Sequence, residues 1–157
     1  ATLLDTRKTT PGWRPLEKWA VKMGGGHNHR FGLFDMIMLK DNHIDYAGGI
    51  PNAVEKAKKY LDKTKKNLKI EVETRNLKEV KEAIQAKADI IMLDNMTPTV
   101  MREAVLLIGG KAKTEASGGI TESTIREYAE TGVDYISIGA LTHSVKSLDI
   151  SLKAVFL

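Results

Sequence analysis

Cysteine is absent from the 157 residues, which excludes a disulfide framework, a thiolate nucleophile and any cysteine-based metal centre. Nowhere does an apolar run approach the roughly 18 residues that span a bilayer, so no membrane partner is expected. The opening residues, ATLLDTRKTT, lack the basic start and apolar stretch of a secretory signal; together with the missing cysteine this fits a cytoplasmic setting. Arginine is missing from the most basic stretch, Lys56 to Lys66, which holds a single aromatic, Tyr60. Without guanidinium forks or stacking platforms it reads as the solvated face of a helix, and no nucleic-acid partner is expected. An initiator methionine is also missing. Ala1 opens what reads as a strand already under way, so further sequence is expected upstream.

What is present is ordinary for a globular domain: 42% hydrophobic and 28% charged residues, with 24 basic against 20 acidic side chains for a net charge of +4. That modest excess suits an anionic small molecule. Apolar runs alternate with amphipathic stretches along the chain. Strands are expected at 1–6, 36–40, 69–74, 89–93, 112–117 and 134–139. Helices are expected at Arg14–Met23 (with Leu16, Trp19, Ala20 and Met23 on one face), at about Pro51–Lys66, after the Asn76 cap with Glu79 as its capping-box partner, from Thr97-Pro98, and from Thr121. This rhythm implies right-handed crossovers and a parallel sheet, either an open doubly wound sheet or a barrel.

Polar residues decide between the two. They gather at the C-terminal ends of the strands: Asp5-Thr6-Arg7-Lys8, Lys40-Asp41-Asn42-His43, Glu71 and Glu73, Asp94-Asn95, Glu115 with Ser117-Gly118-Gly119, and Gly139-Ala140. Contributions from every strand favour a barrel, whose active site lies at that face, over an open sheet with one switch point. Taken singly, Asp5, Asp94 and Glu115 read better as helix caps or strand-end polar residues than as site residues. Glu71 and Glu73 lie two apart on one strand and share a face. In a barrel interior they would repel unless a cation joined them.

His27 and His29 form an H-x-H with only His43 in sight as a third ligand, so an anion-binding corner of His29 and Arg30 fits better than a metal. Gly24-Gly25-Gly26 lacks the GK[ST] ending of a phosphate loop and serves as a helix stop. Ser117-Gly118-Gly119, just before a helix, and Ile138-Gly139-Ala140, after the next strand, are paired glycine turns of the kind that cradle phosphate in barrels. Asn95-Met96-Thr97 matches a glycosylation sequon, a pattern common by chance.

In order and spacing, TRKTTPG (6–12), GGGHNHR (24–30), LKDNHI (39–44), EVE (71–73), LDN (93–95), ASGGI (116–120) and IGALTHS (138–144) resemble the motifs of the quinolinate phosphoribosyltransferases, from Ala1 to about Ile150. The resemblance implies an α/β fold: an incomplete parallel barrel of six or seven strands, spanning residues 1–157, of the type II phosphoribosyltransferase C-terminal kind. The family's smaller N-terminal α/β sandwich would lie outside this chain. It further implies transfer of phosphoribosyl from 5-phosphoribosyl 1-pyrophosphate (PRPP) to quinolinate with loss of carbon dioxide. The site would form in a homodimer, with the neighbour's N-terminal domain lending a basic residue.

By the same resemblance, Arg7, His29 and Arg30, beside Thr6, would bind the quinolinate carboxylates. Lys8 and Lys40 would sit between quinolinate and the pyrophosphate. Glu73 and Asp94 would hold the ribose hydroxyls and a Mg2+ cofactor, with Glu71 nearby. Ser117, Gly118, Gly119, Ile138, Gly139 and Ala140 would bind the 5-phosphate, assisted by His143. Lys8, Lys40, Glu73 and Asp94 are the expected catalytic residues. Three other readings remain open on the residues alone: a nicotinate phosphoribosyltransferase, a Schiff-base aldolase using Lys40 or Lys8, and a basic scaffold built on Lys56–Lys66.

Overall fold

A computed structural model describes residues 1–156. Six strands form one sheet: β1 (Thr2–Leu4), β2 (Ile37–Leu39), β3 (Ile70–Thr74), β4 (Ile90–Asp94), β5 (Lys113–Ser117) and β6 (Tyr135–Ser137). All neighbours are parallel, in the order β1-β6-β5-β4-β3-β2. A seventh rung continues past β1, where His27 bridges Leu4 and its N–H and C=O bond to Leu3 and Asp5. Among the described residues no strand pairing joins this rung to β2, and there the barrel stays open.

Among the described residues seven helices cover the sheet: α1 (Arg14–Met23), α2 (Asp41–Ala47), α3 (Ile50–Thr64), α4 (Leu77–Gln85), α5 (Pro98–Ile108), α6 (Ile125–Ala129) and α7 (Ala140–His143). Their starts follow local chemistry. Asn76 Oδ1 accepts the Glu79 N–H at 3.0 Å, while the Glu79 carboxylate reaches back to Arg75 N–H at 2.7 Å, one residue further than a capping box requires. Thr97 caps α5 with Pro98 behind it. The helix expected from Thr121 begins four residues later, because Thr121 spends its N–H and hydroxyl on the Thr124 side chain in a turn.

Alternation along the strands separates two interiors. Outward residues Ile70, Val72, Ile91, Leu93, Ala116 and Ile136 pack against Ile50, Val54, Val80, Met101 and Ile108 of the helices. Ile91 and Leu93 are fully buried, each contributing about 1.5–3 kcal/mol. The inward face is polar instead: Glu71, Glu73 and Glu115 all point into the barrel and are buried. A chain selected for stability alone would not place three carboxylates there.

Two features depart from the sequence pattern. The apolar stripe of α1 faces out, with Leu16, Trp19 and Met23 between 53% and 74% exposed. The buried residue of α1 is Lys18, whose ammonium pairs with the equally buried Asp5. The second is α2, where no helix was expected. Lys40 is its N-cap, and His43 Nδ1 accepts the Lys40 N–H at 3.0 Å.

Candidate active site

A cavity of about 810 Å³ opens at the C-terminal ends of the strands. Its lining includes every expected site residue: Thr6, Arg7, Lys8, His29, Arg30, Lys40, Glu73, Asp94, Ser117, Gly118, Gly119, Ile138, Gly139, Ala140 and His143. Asn95 and Glu115, placed by the sequence at this face without a role in the site, also line it, together with Met38, Met92, Ile120, Thr121 and Ser137.

One wall is cationic. Arg7 and Arg30 line it, and neither guanidinium is bonded to a carboxylate among the described residues; Arg7 Nε is buried without a partner, and Arg30 Nη2 meets only Met38 Sδ at 3.3 Å. Burial first, then repulsion from Arg7, holds the Arg30 pKa below its ordinary value. Two crowded, unpaired guanidiniums form a site for an anion with more than one acceptor group. The loop carrying Arg7 is pinned from behind, as Arg14 donates to the Arg7 carbonyl at 3.2 Å and the Thr142 hydroxyl to the Lys8 carbonyl at 2.7 Å. Asp5 completes the support: its carboxylate takes the Lys18 ammonium, the Asn28 amide at 2.5 Å and the His29 N–H at 2.9 Å.

Another part of the wall carries carboxylates at its rim. Lys40 Nζ donates to Glu73 Oε2 at 2.7 Å, and Asp94 Oδ2 accepts the Asn95 amide at 2.6 Å. Glu73 keeps one oxygen uncommitted to Lys40. With Asp94 it offers hard oxygen donors facing the cavity, the donor type that Mg2+ takes.

Beneath the rim lies a buried cluster. His29 Nε2 sits 3.2 Å from Glu71 Oε2 and 3.4 Å from Glu115 Oε2. The donor atoms of His29, Glu71 and Glu115 all lie within 4.8 Å of one another and are capable of coordinating a metal ion. His43, the third ligand considered from sequence, is spent on the α2 cap. Burial opposes charge on His29, but attraction from the Glu115 and Glu71 carboxylates beside Nε2, whose oxygens have no hydrogen-bond partner among the described residues, outweighs it and raises the pKa to about 9. Burial raises Glu71 to about 7, against the pull of His29. His29 Nδ1 accepts the Arg30 N–H at 2.7 Å, which leaves Nε2 to face the two carboxylates.

The third wall is glycine-built. Gly118 and Gly119 both have positive φ, +97° and +61°. A Cβ on Gly139 would stand 2.9 Å from the His143 ring and 3.2 Å from Lys8 Cδ. Side chains at Gly118 and Gly139 would strike Asn95 and His143, so these turns are held to bare backbone, whose N–H groups can meet a phosphate.

Cationic corner, carboxylate rim and glycine turns around one cavity define a parallel α/β-barrel protein built for a ligand with several anionic groups. Residues 1–153 match the family described as quinolinate phosphoribosyl transferase, C-terminal domain, and the chain belongs to it. Among its relatives is the chloroplastic nicotinate-nucleotide pyrophosphorylase [carboxylating] of Oryza sativa subsp. japonica, 53% identical over 98% of this chain and 45% of that protein. The probable enzyme of the same name from Bacillus subtilis is 53% identical over 96% of the chain and 51% of its own length. The nicotinate-nucleotide pyrophosphorylase structure from Francisella tularensis superposes with a TM-score of 0.91 at 51% identity, covering 96% of this chain and 52% of that one. The chain therefore spans about half the length of these relatives. A thiamine phosphate pyrophosphorylase from Pyrococcus furiosus, at 18% identity and TM-score 0.59, shares the fold alone.

Proposed function

We propose that this chain is the catalytic barrel of an enzyme that transfers phosphoribosyl from PRPP to quinolinate with decarboxylation, giving nicotinate mononucleotide, carbon dioxide and pyrophosphate. One observation carries the reading: the unpaired Arg7–Arg30 corner, the Glu73 and Asp94 carboxylates and the glycine turns line a single cavity. A pyridine dicarboxylate, a ribose and a phosphate need those three surfaces together.

Arg7 and Arg30 grip the two carboxylates by paired hydrogen bonds; His29, placed with them by the resemblance, has its Nδ1 taken by the Arg30 backbone N–H and so supports Arg30. Ser117, Gly118, Gly119 and the Ile138-Gly139-Ala140 turn hold the 5-phosphate, with His143 beside them. The quinolinate nitrogen attacks C1 of the ribose as the bond to pyrophosphate breaks. Glu73 and Asp94 lie where positive charge develops on the sugar, and Lys8 and Lys40 where negative charge builds on the leaving group. The pyridinium then loses its C2 carboxylate: the C–C bond breaks, its electron pair stays on C2 next to the cationic nitrogen, and a proton takes the vacated place. Glu73 and Asp94 would hold Mg2+, which supplies charge neutralisation to the pyrophosphate. The same reading makes the working assembly a homodimer in which the neighbour's N-terminal domain adds a basic residue to the cavity.

Calorimetric titration of the chain tests the corner. Quinolinate is expected to bind more tightly than nicotinate, and Arg30→Ala to abolish that preference. Equal affinity for the two acids would remove the reading.

A further inference from the structure

The residue after Asp94 has no role in the reaction above, yet its backbone is held in an unusual state. Asn95 has φ +53°, one of three non-glycine residues with positive φ among those described. Asparagine tolerates the left-handed region better than most residues, but glycine would be free of strain there. Three contacts use the conformation. The Asn95 N–H donates to the Ser117 carbonyl at 2.9 Å, tying the end of β4 to the end of β5. The side-chain amide donates to Asp94 Oδ2 at 2.6 Å. Its other face presses on Gly118, where a Cβ would lie 2.2 Å from Asn95 Oδ1 and 2.7 Å from Asn95 N. The second of these atoms is backbone, so no side-chain rotation would relieve the clash. Gly118 must lack a side chain because the residue 95 backbone is there, and the Asn95 side chain fills the same space.

We infer that Asn95 is a positioning residue that fixes the spacing between the Asp94 carboxylate and the Gly118–Gly119 turn, and so sets the site for a phosphorylated pentose. The inference rests on the function proposed above, which puts ribose hydroxyls at Asp94 and the phosphate at the turn. Asn95 bridges the two from outside the ligand: its amide turns the carboxylate, and its bulk places the turn.

Two substitutions separate this role from a structural one. Asn95→Gly keeps the left-handed backbone and the bond to Ser117 but deletes the amide. Asn95→Asp keeps the shape and sets a carboxylate against Asp94. The whole gene product, with Mg2+, is titrated with ribose 5-phosphate and separately with quinolinate, and its thermal midpoint is recorded. Both variants should bind ribose 5-phosphate about tenfold more weakly, the range of one hydrogen bond to a charged group, with quinolinate affinity and thermal midpoint unchanged. Wild-type affinity for ribose 5-phosphate in both variants overturns the inference alone. So does a parallel loss of both ligands with a lowered midpoint, which marks a structural role. A folded wild-type gene product that binds neither ligand overturns the proposed function and this inference with it.

Discussion

Lys40 and Glu73 meet across the cavity rim, with the ammonium 2.7 Å from Oε2, although 33 residues separate them in sequence. Lys40 is about half exposed and Glu73 nearly buried. The lysine is therefore free to swing toward an incoming anion while the carboxylate stays fixed in the barrel.

Lys40→Ala should accordingly lower turnover more than substrate affinity, because its charge acts on the leaving group as charge develops. In the whole gene product we expect a loss of about 10²–10³ in kcat with KM nearly unchanged. Steady-state kinetics with PRPP varied at saturating quinolinate measure both; kcat near wild type would exclude the role.

Glu73→Ala and Asp94→Ala should each weaken Mg2+-dependent binding of PRPP, since they remove the hard oxygen donors facing the cavity. Titrations with and without Mg2+ should differ strongly for wild type and little for either variant. An unchanged metal dependence in both would take these residues out of the site.

The buried Asp5–Lys18 pair predicts a stability effect without involving any substrate. Asp5→Ala leaves the Lys18 ammonium, 3% exposed, without its counter-charge, and also removes the acceptor of Asn28 and the His29 N–H. Breaking one side of a buried pair costs about 3–5 kcal/mol. Urea denaturation should show that loss, and an effect below about 1 kcal/mol would mean Lys18 escapes to solvent.

The His29–Glu71–Glu115 cluster makes stability depend on pH. Both His29 and Glu71 have folded pKa values above their ordinary ones, about 9 and about 7. The folded chain thus retains a proton that the unfolded chain releases. The associated stability is fully present below the ordinary values, 6.5 for His29 and 4.5 for Glu71, and is lost as pH rises through about 7 to about 9. Because the two groups share one proton, the effects are not additive. Unfolding free energy should fall between pH 6 and pH 9, and Glu71→Gln should flatten the slope. A rising slope, or one unaltered by Glu71→Gln, would show that the cluster holds no extra proton.

Much of the site was legible because strand-end polar residues directly follow apolar runs, so Lys40, Asp94 and Ser117 announce their shared level in the barrel. The partnership of His29 with Glu71 and Glu115 was not legible. It joins three segments through the barrel interior, and local spacing carries no information on which carboxylate meets which ring. Lys18 was hidden for a related reason: on a helical wheel it belongs to the polar face of α1, and only the burial of Asp5 draws it in. The stripe of Leu16, Trp19 and Met23 had a clear helical period yet faces solvent, since periodicity reports an apolar face and not what covers it. Short α2 escaped because its seven residues, DNHIDYA, hold too few apolar positions to set a period.

The central claim is tested most directly by supplying the whole gene product with Mg2+, PRPP and either quinolinate or nicotinate, and measuring nicotinate mononucleotide and carbon dioxide together. The account predicts product from quinolinate alone, with one carbon dioxide for each nucleotide formed. A folded protein that forms no nucleotide from quinolinate, or that forms it equally from nicotinate without carbon dioxide, would contradict the assignment of Arg7 and Arg30 to a dicarboxylate.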